Sequence, residues 1–151
     1  MEAVNMNTNV NKNSDIKMNT NVNMNIQVVK VFNEIFFNFV NLISKTFPND
    51  LEITIAKNKL YAIKKINPKL FIKIWKKHIT DKYRDSIEEG NIAYFIEKNY
   101  SDDLNKVNNS DRIMKCINRL REPIKKMDKT KQDMAMLFIQ DLSKISEAII
   151  V

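Results

Sequence analysis

From about residue 26 onward, the apolar residues of this chain recur at the spacing of α-helices. Residues 26–47 combine a wide apolar face with a narrow polar one. A stripe that broad is typical of the central helix of a bundle. Pro48 ends this predicted helix, because the residue before a proline is disfavoured in helical conformation. The predicted apolar face consists of Val28, Val29, Val31, Phe32, Ile35, Phe36, Phe39, Val40, Leu42, Ile43 and Phe47.

Two further helix starts follow closely. Asn49 is a predicted cap for the second helix, with Glu52 three positions on, at the spacing of a capping box. The β-branched residues of "LEITI" make a short strand the local alternative, but the helical period continues. Asn67 and Pro68 predict the third start, with a capping side chain and proline at the first helical position. The predicted buried face of the second helix is Ile53, Ala56, Leu60 and Ile63.

The rest of the chain predicts more helices. The third runs from Pro68 to Tyr83 or beyond, and Gly90 ends this helical region because glycine adopts a left-handed cap readily. "NIAYFIEKNY" predicts a short helix that buries Ile92, Phe95 and Ile96, and "SDDLNKVNNSD" predicts a loop. Helices over about 110–122 and 129–149 are separated at Pro123. The last one should bury Met134, Phe138, Leu142, Ile145 and Ile149.

The first 25 residues differ in composition from the rest. They are rich in asparagine and repeat "MNTNVN" at residues 6–11 and 18–23. This segment has little apolar bulk to offset its conformational entropy, so we expect a disordered tail over 1–25. Self-association through such an Asn-rich tail is the alternative. Residues 26–151 are then one all-α domain, a compact bundle of about five to seven helices. The single glycine and three prolines also favour long helices.

Several classes of chemistry lack their usual residues. With one glycine, no Gly-rich phosphate loop can form. With one histidine and one cysteine, no His/Cys metal site is expected. We interpret His78 as a half-buried packing residue and Cys116 as a buried small hydrophobe. The sequence therefore predicts no catalytic residues, no metal and no cofactor. The alternative is an enzyme or enzyme subunit that gathers distant carboxylates such as Glu52, Asp81 and Glu97.

Nothing in the sequence predicts secretion or a membrane span. The N-terminal 25 residues are polar rather than apolar, unlike a signal peptide. The most apolar stretch, 26–47, is interrupted by lysine, glutamate and asparagine, which argues against a transmembrane helix. A membrane-surface role for the third helix conflicts with the expected burial of Phe71 and Trp75. A single cysteine excludes an intramolecular disulfide and fits a reducing compartment.

The formal net charge of +7 suggests an anionic partner, but codon composition accounts for part of it. Lys, Asn and Ile each occur 21 times and Arg only four times, as expected of an AT-rich genome. In "NPKLFIKIWKKHI", we expect Leu70, Phe71, Ile74 and Trp75 to be buried, with lysines on the opposite side. Few arginines weaken a base-reading hypothesis and leave phosphate attraction open. The alternative is the solvated side of a core helix. The candidate nucleic-acid-binding residues are Lys57, Lys64, Lys69, Lys73, Lys76 and Lys77.

The segments "FNEIFFNFVNLISKTFPND", "NPKLFIKIWKKHI" and "YFIEKNY" resemble uncharacterised small helical proteins of giant DNA viruses, of the mimivirus and phycodnavirus type. The closing "MLFIQDLSKISEAI" resembles their final helix, without the tryptophan of that region. The Asn-rich tail lies outside the pattern. The resemblance implies a fold and a viral origin, but no activity. The matching residues are Phe32, Phe36, Phe39, Leu42, Phe47, Pro48, Asn67, Pro68, Tyr83, Phe95 and Tyr100.

Together these features predict a non-enzymatic interaction or structural protein of a large DNA virus. The resemblance implies that it acts in the virion or in a viral factory in the host cytoplasm. Its expected partner is another protein, of unknown identity, and the oligomeric state is open. The alternative is a weak nucleic-acid-binding protein without sequence preference that uses the Lys-rich helical face.

Overall fold

The described residues form an all-α bundle, which confirms the predicted fold class. The computed structural model describes the backbone of residues 2–97 and 109–149, and the side chains of residues 23–96 and 111–149. "LEITI" is helical, so the strand alternative is wrong for that segment. The helices are α1 (Glu2–Thr46), α2 (Leu51–Ile66), α3 (Leu70–Trp75), a π-helix (Lys76–Thr80), α4 (Asp81–Glu88), α5 (Ile92–Glu97), α6 (Asn109–Ile124) and α7 (Lys129–Ser146).

Helix α1 lies at the centre of the bundle, as its broad apolar face predicts, and packs against α2, α3, α6 and α7. Phe36 is almost fully buried, and its ring centroid lies 5.3 Å from that of Phe71 and 6.2 Å from that of Trp75. Three positions differ from the prediction: Phe37 and Asn33 are buried, and Val31 is 42% exposed. This aromatic cluster joins α1 to α3 and so fixes the orientation of α3.

Among the described side chains of α1, burial begins at Val29. The helical backbone starts at Glu2, and side chains are described from residue 23. Met24 and Ile26 are about half exposed, and Val29 is the first buried residue among the described side chains. The domain start near Ile26 and the disordered tail over residues 1–25 both stay predictions.

The stretch Asn23–Thr46 of α1 is long and apolar enough to cross a membrane by length and composition. A stretch of this kind is weak evidence for a span, because the core helix of a bundle passes the same test. In this fold, 44% of an apolar 18-residue window within this stretch is buried inside the protein. Most of its apolar side chains, among them Phe32, Val40 and Ile43, lie in the core, whereas Met24, Ile26 and Val31 are exposed.

Asp50, not Asn49, caps the start of α2. The Asp50 carboxylate accepts hydrogen bonds from the backbone N–H groups of Glu52 (3.0 Å) and Ile53 (3.2 Å). The predicted cap is wrong by one residue, because the helix begins at Leu51 and a cap side chain bonds two or three positions ahead. The predicted buried face is correct apart from a half-buried Ile63.

The predicted start of the third helix is also displaced. Asn67 ends α2, where its backbone N–H donates to the carbonyl of Ile63, and α3 begins at Leu70. The carbonyl of Pro68 accepts a hydrogen bond of 2.9 Å from the side-chain amide of Asn33, which is buried on α1. This contact ties the turn between α2 and α3 to the central helix, so Asn67 caps the end of α2 and not the start of the third helix.

The breaks at Gly90 and Pro123 lie close to the predicted places. Gly90 follows α4 with a φ of 72°, in the left-handed region. Pro123 lies in the last turn of α6, which ends at Ile124 and leads through a tight turn into α7. Phe95 and Ile96 of α5 are buried, as predicted, and Ile92 is half-buried. Most of the predicted loop after α5 lies outside the described residues.

Helix α7 buries a different face from the predicted stripe and ends at Ser146. Met134 is 44% exposed, and Phe138, Ile145 and Ile149 are half-buried. Leu142 is the one member of the predicted stripe in the core. A hydrophobic pattern misses this face because two serines belong to it. The buried residues of α7 are Ala135, Met136, Ile139, Leu142, Ser143 and Ser146.

Candidate nucleic-acid interface

Four of the six candidate lysines line one open groove of about 400 Å³. Lys69, Lys73 and Lys77 are exposed and Lys76 is half-buried. The groove is formed between these lysines, the packed beginning of α1 and the segment that follows α7. The sequence did not connect these three segments. The other lining residues are Asn25, Val29, Asp81 and Ile149.

Helical spacing explains why the lysines share one side. Residues 69, 73, 76 and 77 are separated by four, seven and eight positions, which lie on one face of a helix. The opposite side is the core face: Phe71, Ile74 and Trp75 are buried as expected, and Leu70 is half-buried. Ile72 is also fully buried. Apolar packing therefore orients the segment 69–77 and turns its four lysines toward the groove.

A π-helix extends this arrangement beyond Trp75. The backbone N–H of Asp81 donates to the carbonyl of Lys76, five residues back. The core residues of this region recur every four residues. In an α-helix of 3.6 residues per turn, each such step places the next side chain about 40° further around the helix axis. The wider π turn absorbs part of that drift, and π-helical turns are frequent at functional sites. The recurring residues are Phe71, Trp75, Ile79, Tyr83 and Ile87, all buried.

The groove has an excess of positive charge. Within the described part of the chain, none of its four lysines lies within ion-pair distance of a carboxylate. Asp81 is the acid among the lining residues. Its carboxylate lies 3.3 Å from the guanidinium of Arg84, which also pairs with Glu147. The lysines therefore carry charges that the described fold does not neutralise by direct contact.

Lys57 and Lys64 do not line this groove. Both are half-buried on α2. The Lys64 ammonium lies 4.9 Å from the centroid of the Phe37 ring, at cation–π distance. The structure thus joins four of the six candidate lysines in one feature and leaves two on a separate helix.

The other residues that could bind a metal or take part in catalysis have local structural positions. His78 is half-buried, and burial raises the pKa of the Cys116 thiol, both in line with packing residues. Glu52 lies in the first turn of α2 and does not line the groove that contains Asp81. The side chain of Glu97 lies outside the described set. Among the described side chains, no three of His, Cys, Asp or Glu cluster as a metal site would require.

A buried polar network that the sequence pattern did not show lies behind the lysine groove. The indole N–H of Trp75 donates to the Ser143 hydroxyl (3.0 Å), and the hydroxyls of Thr80 and Ser146 lie 2.7 Å apart. The Ser146 hydroxyl also donates to the carbonyl of Ser143 (2.6 Å). These bonds attach α3 and the π-helix to α7. They therefore hold the C-terminal end of the lysine-bearing segment, and the bond from Asn33 to the Pro68 carbonyl holds the turn before Lys69.

In comparisons with known proteins, no family model, curated protein or solved structure matches this chain. The likeness to giant-virus proteins therefore rests on the sequence pattern alone.

Proposed function

We propose that this chain is a non-enzymatic binding protein whose lysine groove takes the phosphate backbone of a nucleic acid. The observation that carries the proposal is the convergence of Lys69, Lys73, Lys76 and Lys77 on one groove without carboxylate partners among the described residues. Lysine is a compact point charge that attracts phosphate but lacks the planar fork with which arginine reads guanine. We therefore expect weak binding without sequence preference.

The spacing of the lysines sets the size of the contact. Eight residues of helix separate Lys69 from Lys77, which corresponds to about 12 Å along the axis. Phosphates of one DNA strand are about 3.4 Å apart along the helix axis, so the groove matches about three to four of them. At about 0.9 per neutralised phosphate, the log–log dependence of affinity on salt should have a slope near −3. Affinity should then fall about 60-fold between 50 and 200 mM salt.

The viral origin implied by the resemblance is part of the same proposal. DNA in a viral factory would supply a polymer of this kind at high local concentration. Electrostatic, sequence-independent contacts are sufficient for binding to such a polymer. Detection of the protein on DNA in infected cells, or in purified virions, tests the cellular part of the proposal separately from the groove.

The test is a titration of a fluorescent DNA duplex at several salt concentrations. The groove variant carries Lys69→Gln, Lys73→Gln and Lys77→Gln, three exposed positions. The matched control carries glutamine at Lys125, Lys126 and Lys129, which are also exposed. Both variants lose the same formal charge, so a general effect of net charge would weaken them equally.

The groove variant should lose most of the affinity and reduce the salt slope by about two to three. The control should keep the slope of the wild type. Equal loss in both variants would assign the binding to net charge, and no binding by the wild type would remove the nucleic-acid proposal altogether.

A further inference from the structure

Helix α2 exposes an apolar face in addition to the one that it buries. Ile53, Ala56 and Leu60 lie in the core, and α2 packs against α6 and α1. The side turned to solvent carries four apolar residues, here called the α2 stripe. They are Leu51 (75% exposed), Ile55 (46%), Ile66 (81%) and the exposed Ala62.

The four residues of the α2 stripe form a line and not a scatter. At about 100° per residue, positions 51, 55, 62 and 66 fall within about 60° of one another around the helix. Their ends are separated by fifteen residues, or about 22 Å along the axis. Single exposed apolar residues are ordinary on protein surfaces. An aligned set over the whole length of a helix has the pattern of a helix–helix contact.

The edges of the α2 stripe are basic. The exposed Lys59 lies along one edge of the stripe and the exposed Lys65 along the other. Glu52 is the one acidic residue in α2. Burial raises the pKa of the Cys116 thiol, and the nearby charges of Lys59 and Arg119 oppose that rise. Lys59 of α2 is therefore close enough to α6 to act on the charge of the Cys116 thiol.

This charge pattern favours one kind of partner for the α2 stripe over another. A second copy of the chain, with its own formal net charge of +7, would bring lysine against lysine. We propose that the α2 stripe binds an amphipathic helix of another protein, whose apolar residues are flanked by aspartate or glutamate. The partner would lie along α2 for about four turns, with carboxylates opposite Lys59 and Lys65.

This interaction does not depend on the proposed nucleic-acid contact. None of the four residues of the α2 stripe lines the lysine groove. The protein has one candidate surface for phosphate and a separate one for a protein helix, as an adaptor requires. Variants of the two surfaces should therefore act separately on the two ligands.

The test measures binding of a fluorescein-labelled synthetic helix of 18 residues by fluorescence anisotropy. The probe carries leucine at helical spacing with glutamate on both flanks, and a second probe has lysine in place of every glutamate. The stripe variant is Leu51→Gln/Ile55→Gln/Ile66→Gln, since glutamine is a good helix former. The control is Met134→Gln/Leu137→Gln on α7, where the residues are 44% and 61% exposed. Circular dichroism verifies that both variants are folded.

We expect the acidic probe to bind the wild type and the α7 control alike. The stripe variant should bind it at least about tenfold more weakly, as loss of central apolar contacts usually costs. Lys59→Gln/Lys65→Gln should weaken binding by a smaller factor that vanishes at high salt. The lysine probe should not bind.

Three results would overturn the proposal. The first is equal affinity of the stripe variant and the wild type for the acidic probe, or no binding by either. The second is equal binding of the acidic and the basic probe. The third is a dimeric wild type and a monomeric stripe variant in sedimentation equilibrium, which would assign the stripe to a second copy.

Discussion

Replacing Ser143 with alanine removes the hydrogen-bond acceptor of the buried Trp75 indole. The indole N–H lies 3.0 Å from the Ser143 hydroxyl, Trp75 is fully buried, and Ser143 is 5% exposed. Water therefore has no ready access to the donor after the substitution. The second contact at this serine, from the Ser146 hydroxyl, ends on the Ser143 backbone carbonyl and survives.

The size of the effect follows from this geometry. A buried donor without a partner costs about 1–3 kcal/mol. Alanine favours the helix over serine by about half a kcal/mol, which offsets part of that cost in α7. We expect the free energy of unfolding to fall by about 1–2 kcal/mol. With a urea dependence of about 2 kcal/mol per molar, the midpoint should move down by about 0.5–1 M.

The assay is urea denaturation followed by circular dichroism and by the fluorescence of Trp75, the single tryptophan of the chain. Thr130→Ala is the matched control, because Thr130 is exposed on the same helix and should change stability by less than about 0.5 kcal/mol. Trp75→Phe and the double variant complete a mutant cycle, measured by circular dichroism. On the phenylalanine background, the Ser143→Ala change should cost close to nothing.

Two outcomes would refute the reasoning. If Ser143→Ala were as stable as Thr130→Ala, the indole bond would not contribute to the attachment of α3 to α7. If Ser143→Ala cost the same with tryptophan or phenylalanine at position 75, the loss would come from packing around the serine and not from the hydrogen bond.

Three more predictions concern local features. Asp50→Ala should lower the free energy of unfolding by about 1 kcal/mol in urea denaturation through loss of the α2 cap, and Asn49→Ala should not; equal effects would contradict the assignment. Gly90→Ala should lower stability by about 1–2 kcal/mol in thermal unfolding because φ is 72° at this position. A clash would not be the cause, because the added Cβ lies at an ordinary 3.5 Å from the Gln140 side chain. An unchanged unfolding midpoint would argue against backbone strain. Burial raises the pKa of the Cys116 thiol, so the stabilisation by this thiol is complete below the pKa of an unfolded thiol, about 8.5, and declines as the pH rises above that value. In denaturation measured as a function of pH, Cys116→Ala should lose less stability than the wild type at alkaline pH. Identical pH profiles of the two proteins would refute this prediction.

Much of the helical layout could be predicted from the sequence because it depends on local features. The period of the apolar residues identifies the central helix, and the core face of α2 follows from the same signal. Gly90 marks a helix end, since the left-handed conformation is strained for other residues. The burial of Phe71, Ile74 and Trp75, with lysines on the other side, required nothing beyond helical spacing.

Other features depend on residues that are far apart in the chain. Ser143 and Ser146 are polar and would be expected at the surface, yet they are buried because Trp75 and Thr80 supply their hydrogen-bond partners across 68 and 66 positions. Pro68 takes part in a turn because the amide of Asn33 bonds its carbonyl. Hydrophobic periodicity contains no information about such partners.

The candidate binding surfaces also combine features set by the sequence with features set by the tertiary structure. The sequence by itself placed Lys69, Lys73, Lys76 and Lys77 on one side of a helix. Only the tertiary structure decided that this side faces a groove, because the other walls come from the beginning of α1 and the segment after α7. It likewise separated Lys57 and Lys64 from that groove, and it left the α2 stripe exposed. The physical reason is that spacing along one helix fixes which residues share a face, whereas the packing of the other helices fixes what that face meets.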